Sequence, residues 1–310
     1  MGMLTNWLES LAYEIEISSA CLRLQSPKSG CMKCGQYCPE KAITFTGREV
    51  KIDSESCTNC GQCVPACPVQ AISGKSPERT IVNDTLLIEE GLFPPFQELL
   101  YFCKRGIRKI YCSNQVVPDA PVIDEVQSLL GEMGFEPIAI LDSLPSPAEE
   151  RVATRRSFLL NAASEGRKLA AASFAPAKWK FNQDQFNLVS MFPGFSLYEV
   201  HISQERCTLC EACFKMCKQE VFMLQDGILS VKHSSCNGCK LCTDVCTAGA
   251  VNPVQKAHSS EKMELGVERV ACRDCSSPFY TWRSSNSNTD AKCPVCKTRS
   301  EKGYLNPFGD

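Results

Sequence analysis

Two runs of the form C-x2-C-x2-C-x3-C constrain this chain more than any other feature: Cys207, Cys210, Cys213, Cys217 and Cys236, Cys239, Cys242, Cys246. The spacing suits thiolate ligation of a cuboidal iron–sulfur cluster. Its iron corners lie close together, so three ligands must come from one tight loop. The fourth corner faces away and is reached from the start of the helix after the opposite loop. Two runs therefore predict two clusters with exchanged fourth ligands, and paired spacings of this kind are too specific for a disulfide framework.

The cysteine total supports that reading. There are 22 cysteines in 310 residues, yet disulfide-stapled secreted scaffolds are short and carry a signal peptide. The opening MGMLTNWLESLAYEIEIS has neither a basic n-region nor an apolar h-region. Metal-ligating thiols in a reducing, cytoplasmic compartment are expected. No run of about 18 apolar residues predicts a bilayer span. The formal charge of −2 gives no basic surplus for counterion-driven binding, so no nucleic-acid partner is expected.

The segment Leu197 to Pro253 resembles the bacterial two-cluster ferredoxin family, and a second copy of the pattern lies near the N-terminus. The crossed rule of that pattern assigns Cys207, Cys210, Cys213 and Cys246 to one cluster, and Cys236, Cys239, Cys242 and Cys217 to its neighbour. Lys218 and Thr247 stand where the family has a proline after the fourth cysteine, which leaves the potentials open. In the N-terminal copy Cys57, Cys60, Cys63 and Cys67, followed by Pro68, are complete. The other half shows Cys31, Cys34 and Cys38-Pro39 but Lys28 at the first ligand position. Either an inserted loop, Leu22 to Gly30, delivers Cys21 to that corner, or the corner is open and the site holds a [3Fe-4S] or a labile four-iron cluster. The inserted loop is preferred because Cys21 directly follows a strand pattern, and Pro27 and Gly30 mark a surface excursion; otherwise Cys21 is a plain buried thiol. Crossed assignment gives Cys21, Cys31, Cys34 and Cys67 for one cluster and Cys57, Cys60, Cys63 and Cys38 for the next.

Between the cysteine-rich copies the pattern is ordinary. Thr85–Ile88, Lys109–Cys112 and Ile138–Leu141 read as strands, with helices over Pro94 to Arg105 and from Asp119 or Ala120 to Gly134. Strand, helix, strand, helix, strand predicts a small parallel α/β module. It has no Gly-rich phosphate loop, so no nucleotide site is predicted, and Cys103 and Cys112 read as small core residues. A helical connector follows, containing Thr154-Arg155-Arg156-Ser157-Phe158-Leu159-Leu160, which resembles a twin-arginine export signal. Its internal position favours an amphipathic helix instead. A weaker reading rests this segment on a membrane surface through Phe158, Leu159, Phe174, Trp179 and Phe181. In the tail Cys272-x2-Cys275 and Cys293-x2-Cys296 fit a four-thiolate zinc ribbon. Zinc is preferred to rubredoxin-type iron because Ser276 and Lys297 replace the glycine usual after the second cysteine.

The expected fold is α+β: a ferredoxin-like two-cluster unit at 1–80, a βαβαβ module at 81–144, a connector at 145–195, a second two-cluster unit at 196–257 and a zinc-ribbon tail at 258–310. His201, His233 and His258 are scattered in the sequence and read as surface or core side chains. The chain thus predicts four [4Fe-4S] clusters, one zinc and no catalytic constellation. The resemblance implies an electron-transferring subunit that meets a catalytic subunit of molybdopterin oxidoreductase or hydrogenase type and an electron carrier, with peripheral contact to a membrane or membrane subunit on the cytoplasmic side. An accessory protein for metalloenzyme maturation is the alternative. A nucleic-acid-binding regulator using the ribbon is the weaker third.

Overall fold

The computed structural model describes residues 15–82, 84–88, 93–113, 119–143, 186–259, 262–283 and 291–301. The chain divides into two compact units, Met1–Pro193 and Gly194–Asp310.

The first unit begins with β1 (Glu16–Ile17), α1 (Leu22–Gln25), α2 (Lys33–Gln36), β2 (Ile43–Thr46), β3 (Glu49–Ile52), α3 (Cys63–Ala66) and β4 (Ile72–Ser73). β1 closes antiparallel on β4, with Ile17 opposite Ile72, so the two ends of the cysteine-rich segment meet. β2 and β3 form a hairpin with Ile43 opposite Ile52. Its turn falls at Gly47, whose φ of 58° is a left-handed conformation that glycine adopts without steric cost. Ile43, Val64, Ala71 and Ile72 form a small core against which the cysteines pack. A segment this size buries little apolar surface, so bound metal would add materially to its stability.

The chain continues through β5 (Thr80–Val82), β6 (Thr85–Ile88), α4 (Phe96–Lys104), β7 (Lys109–Cys112), α5 (Ala120–Glu132) and β8 (Ala139–Leu141). These strands form one sheet in the order β5-β6-β7-β8. β6, β7 and β8 are parallel, in the positions that the alternating pattern predicts. All four residues of β6 are buried, as for a strand covered on both faces. β5 is an antiparallel edge that the sequence reading does not contain; it is three residues long and lies across the boundary expected at residue 80. The side chain of Asp119 caps α5 by accepting the Val122 N–H at 3.3 Å. Val122, Val126, Leu129 and Leu130 form its buried stripe.

Most of the expected connector, including the twin-arginine-like string and Phe174, Trp179 and Phe181, lies outside the described residues. Its end packs on the α/β module through α6 (Leu188–Met191). There the Phe186 ring lies 5.6 Å from Tyr101 and the Phe192 ring 5.8 Å from Phe135.

The second unit contains β9 (Phe195–Ile202), α7 (Ala212–Met216), β10 (Phe222–Gln225), β11 (Ile228–Lys232), a 3-10 turn (His233–Ser235), α8 (Leu241–Val245), β12 (Val251–Ser259), β13 (Lys262–Ala271), β14 (Pro278–Trp282) and α9 (Pro294–Glu301). β9 pairs antiparallel with β12 from Ile202↔Val251 to Phe195↔Ser259, with a register shift between Gln255 and His258. The β10–β11 hairpin turns at Asp226 and Gly227, both left-handed (φ 51° and 74°), as the Asp-Gly pair predicts. β13 then pairs with β11, and β14 with β13, giving the sheet order β10-β11-β13-β14. β12 runs through the boundary expected at 257. β13, placed in the tail by the sequence, shares the hairpin's sheet because its Val267 joins the core of Val200, Leu229 and Val231. No described helix is long and apolar enough to cross a membrane.

Candidate functional site

Each unit gathers its cysteines from two loops and the starts of two short helices. In the first unit Cys21, Cys31, Cys34 and Cys67 line one cavity of about 370 Å³, walled by Ile17, Leu22, Phe45 and Val50. Cys38, Cys57, Cys60 and Cys63 line another of about 320 Å³, with Ile43 and Ile52 behind them. In the second unit Cys207, Cys210, Cys213 and Cys246 line a cavity of about 470 Å³ beside Ile202, Phe214 and Val251. Cys217 is an electrostatic neighbour of Cys236, Cys239 and Cys242. The structure therefore brings together the four groupings that crossed assignment predicts. Within each unit the groupings adjoin, because Cys34 acts on Cys63 and Cys242 on Cys213.

Cys21 reaches its cavity by a specific local device. It precedes α1, whose Leu22 is 3% exposed and anchors the inserted segment inward. Arg23 then pins the segment from outside: Nε donates to the Cys31 carbonyl at 2.6 Å and Nη1 to the Gly47 carbonyl at 2.7 Å. Its guanidinium lies 4.9 Å from the Phe45 ring centroid, a cation–π distance. Arg48 Nη2 donates to the Leu24 carbonyl. The excursion is thus folded against the β2–β3 hairpin.

Burial governs the thiols. It pushes Cys34, Cys63, Cys213, Cys236 and Cys242 up to about 12, with neighbouring sulfurs adding to the effect. Without metal these groups are neutral at pH 7, and metal binding must expel their protons. Backbone donors oppose that cost at the crossing positions. The N–H groups of Ala42, Ala71 and Ala250 point at the sulfurs of Cys38, Cys67 and Cys246, at 3.3, 3.2 and 3.2 Å. Such donors stabilise negative charge on sulfur and raise a cluster's potential.

In the tail the sulfurs of Cys272, Cys275, Cys293 and Cys296 all lie within 4.8 Å of one another. The first pair sits in the turn between β13 and β14. The second opens α9, where the Cys293 N–H donates to the Cys272 sulfur at 3.3 Å. Cys103 is fully buried and burial raises its thiol to about 12, while Cys112 is only partly covered.

Three features escape the sequence reading. Arg79 makes a buried bidentate bridge to Glu98, both contacts at 2.9 Å, and its Nη2 also donates to Gln62 beside Cys63 at 3.0 Å. Trp282 Nε1 donates to the Cys207 carbonyl at 2.8 Å. The three histidines, far apart in the sequence, come together in space: His233 and His258 meet edge to face at 5.2 Å, and His201 joins them through Glu199. Pairing of β9 with β12 brings together residues such as Phe195 and Ser259, 64 positions apart (259 − 195), which no local spacing signals.

Comparison with known proteins agrees with this geometry in the N-terminal segment. Residues 29–71 match the 4Fe-4S dicluster domain family. That segment is a ferredoxin-type iron–sulfur domain. A stretch of 43 residues is 51% identical to a subunit of the ion-translocating oxidoreductase complex of Methanosarcina acetivorans, covering 14% of this chain and 16% of that one. The ferredoxin-type protein NapF of Haemophilus influenzae is 34% identical over 67 residues, 20% of this chain and 37% of its own. A selenate reductase subunit of Mesobacillus selenatarsenatis is 27% identical over 114 residues, 32% of this chain and 36% of its own. The chain thus spans well under half the length of these curated relatives.

Proposed function

We propose that the chain is an electron relay, the iron–sulfur subunit of a larger oxidoreductase complex, built from two ferredoxin-like units and a metal-bound tail. The observation that carries this reading is the gathering of sixteen cysteines into four thiol-only sets, three of them lining cavities. Cys21, Cys31, Cys34 and Cys67 would hold the first [4Fe-4S] cluster, and Cys57, Cys60, Cys63 and Cys38 the second. Cys207, Cys210, Cys213 and Cys246 would hold the third, and Cys236, Cys239, Cys242 and Cys217 the fourth. Four soft thiolate donors per set fit iron–sulfur ligation. When bound, such clusters supply reversible one-electron chemistry.

The protein's own part follows from its residues. Full thiol ligation leaves no iron corner for substrate, which favours relay over catalysis. Ile17, Phe45 and Val50 around one cavity, and Ile202, Phe214 and Val251 around another, exclude water. The N–H groups of Ala42, Ala71 and Ala250 favour the more negative, reduced state. The adjoining sets within each unit support passage between them. For the tail, a closed four-thiol zinc site is the reading preferred on ligand type, with a structural role.

Relatives named as subunits of an oxidoreductase complex and of a selenate reductase support a catalytic partner. We assign that partner to the molybdopterin oxidoreductase or hydrogenase type, together with an electron carrier and a cytoplasmic-side membrane component. The test is iron, sulfide and zinc content on anaerobically purified protein, with EPR during stepwise reduction and Cys21→Ser alongside. About sixteen irons and one zinc per chain, with one cluster altered in the variant, is the expected result. Few irons and no reducible signal overturn the relay and favour a maturation role.

A further inference from the structure

The chain's three histidines come together where β9, β12 and the 3-10 turn meet, and one of them is placed to hold a proton. The register shift in β12 between Gln255 and His258 is a bulge, a feature that re-aims a side chain. It sets the His258 ring with Nδ1 2.7 Å from the Ser259 carbonyl oxygen and Nε2 3.4 Å from the Tyr198 carbonyl oxygen. Carbonyl oxygens only accept hydrogen bonds. Both contacts are satisfied only when both ring nitrogens carry hydrogen, which is the imidazolium form. Either neutral tautomer turns a lone pair toward a carbonyl.

Its neighbour has the opposite arrangement. His233 is 6% exposed and its Nδ1 accepts the Val200 N–H at 3.0 Å, so that nitrogen must keep its lone pair. Burial first, then His258, pulls its pKa down. Of the two stacked rings, only His258 is arranged to take a charge. The groups facing it are Glu199 and His201 from β9, Lys256 from its own strand and His233 from the 3-10 turn. Glu199 is the sole anion among them and is ion-paired with Lys256 at 2.9 Å.

Both residues that touch His258 across the chain also touch the Cys236 loop. The His233 carbonyl accepts the Cys236 N–H at 2.9 Å. The Tyr198 ring presses on Gly238 so closely that a Cβ there would lie 2.1 Å from it. His258 therefore reaches the loop through two residues, Tyr198 and His233.

We propose that His258 is a proton acceptor coupled to the electron held by the Cys217, Cys236, Cys239 and Cys242 set. When one electron arrives there from the redox partner, the neutral His258 ring binds one proton from solvent on its unprotonated nitrogen. When the electron leaves, the N–H bond breaks and the proton returns to solvent. Added negative charge near an imidazole favours its cation. This inference rests on the relay reading, and makes one of the four relay sites sensitive to pH.

The experiment is an EPR-monitored redox titration of the full chain from about pH 5 to about pH 8, where imidazoles change charge. The relevant transition is the one altered in Cys239→Ser. Its potential falls as pH rises, by up to about tenfold in the reduction equilibrium per pH unit, or about 59 mV for one electron. In His258→Gln and His258→Arg the slope is lost, and the Arg variant, a permanent cation, sits at the higher potential. His201→Gln keeps the slope. A flat wild-type profile, or a slope that survives in both His258 variants, overturns the proposal while leaving the relay intact. Absence of any reducible iron signal overturns the relay itself, and this proposal with it.

Discussion

The indole Nε1–H of Trp282, the last residue of β14, donates to the backbone carbonyl of Cys207 at 2.8 Å. Trp282 and Tyr280 both pack on the core that carries Cys207 and Cys213. The strand leaving the four-thiol tail site therefore ends as a clamp on the first loop of the second unit. Trp282→Phe keeps most of the packing but removes the donor, at a cost of about 1 kcal/mol. Only the signal assigned to the Cys207, Cys210, Cys213 and Cys246 set is expected to become oxygen-labile, with the others unchanged. Time-resolved bleaching with EPR checks this, and uniform loss of all signals contradicts it.

Arg23 provides the second prediction. Its donations to Cys31 and Gly47 and its stacking over Phe45 hold the inserted segment against the hairpin. Arg23→Ala removes all three, at about 2 kcal/mol given charged hydrogen bonds at a partly exposed site. Cys21 keeps its thiol but loses its support. A [3Fe-4S] signal is expected on mild oxidation in this variant, at the same set that Cys21→Ser alters. Oxidation behaviour identical to wild type contradicts the role given to Arg23.

The reach of the sequence is physical. Cysteine spacing is local and the chemistry of ligation is strict, so the groupings are legible, as are the Asp226-Gly227 turn and the parallel strands of the α/β module. The Cys21 corner is legible only as a choice, because what holds the inserted segment in place is Arg23 bonding to the hairpin, and Arg48 of the hairpin bonding back to Leu24, each across about two dozen residues. Trp282 and Cys207 are 75 positions apart, and the convergence of His201, His233 and His258 depends on the pairing of β9 with β12. β13 has alternating character but no local signal says which strand it joins. That is decided by Val267 entering the core beside Leu229 and Val231.

The buried pair of Arg79 and Glu98 supports a third prediction. Their side chains are 8% and 3% exposed, and Arg79 also reaches Gln62 between Cys60 and Cys63. Burial pushes the Glu98 carboxyl up while Arg79 pulls it down. Removing one partner strands the other charge, so Glu98→Leu costs about 3–5 kcal/mol, whereas Arg79→Met with Glu98→Leu recovers most of the loss. Thermal unfolding of the metal-loaded protein across this double-mutant cycle checks the sign. Additive losses would show that the pair is not coupled.

The tail site gives a pH prediction with a defined sign. The Cys293 N–H draws the Cys272 thiol down to about 6, and the Ser277 N–H lowers Cys275. Cys296 is pushed up to about 12, chiefly by its hydrogen bond with Cys275. A metal ion takes thiolates, so every proton still on sulfur must leave as it binds. At pH 7 Cys272 has already lost its proton, and Cys296 has not. Affinity therefore falls as pH falls, and it falls more steeply below about pH 6, where Cys272 must also be deprotonated. That extra proton makes the affinity about tenfold weaker per additional pH unit. Competitive zinc titration against a chromophoric chelator, in the wild type and in Cys272→Ser, reads both slopes. The variant binds more weakly and lacks the steepening near pH 6. A profile without that break in the wild type would mean that the Cys272 thiol is not held down by its backbone donor.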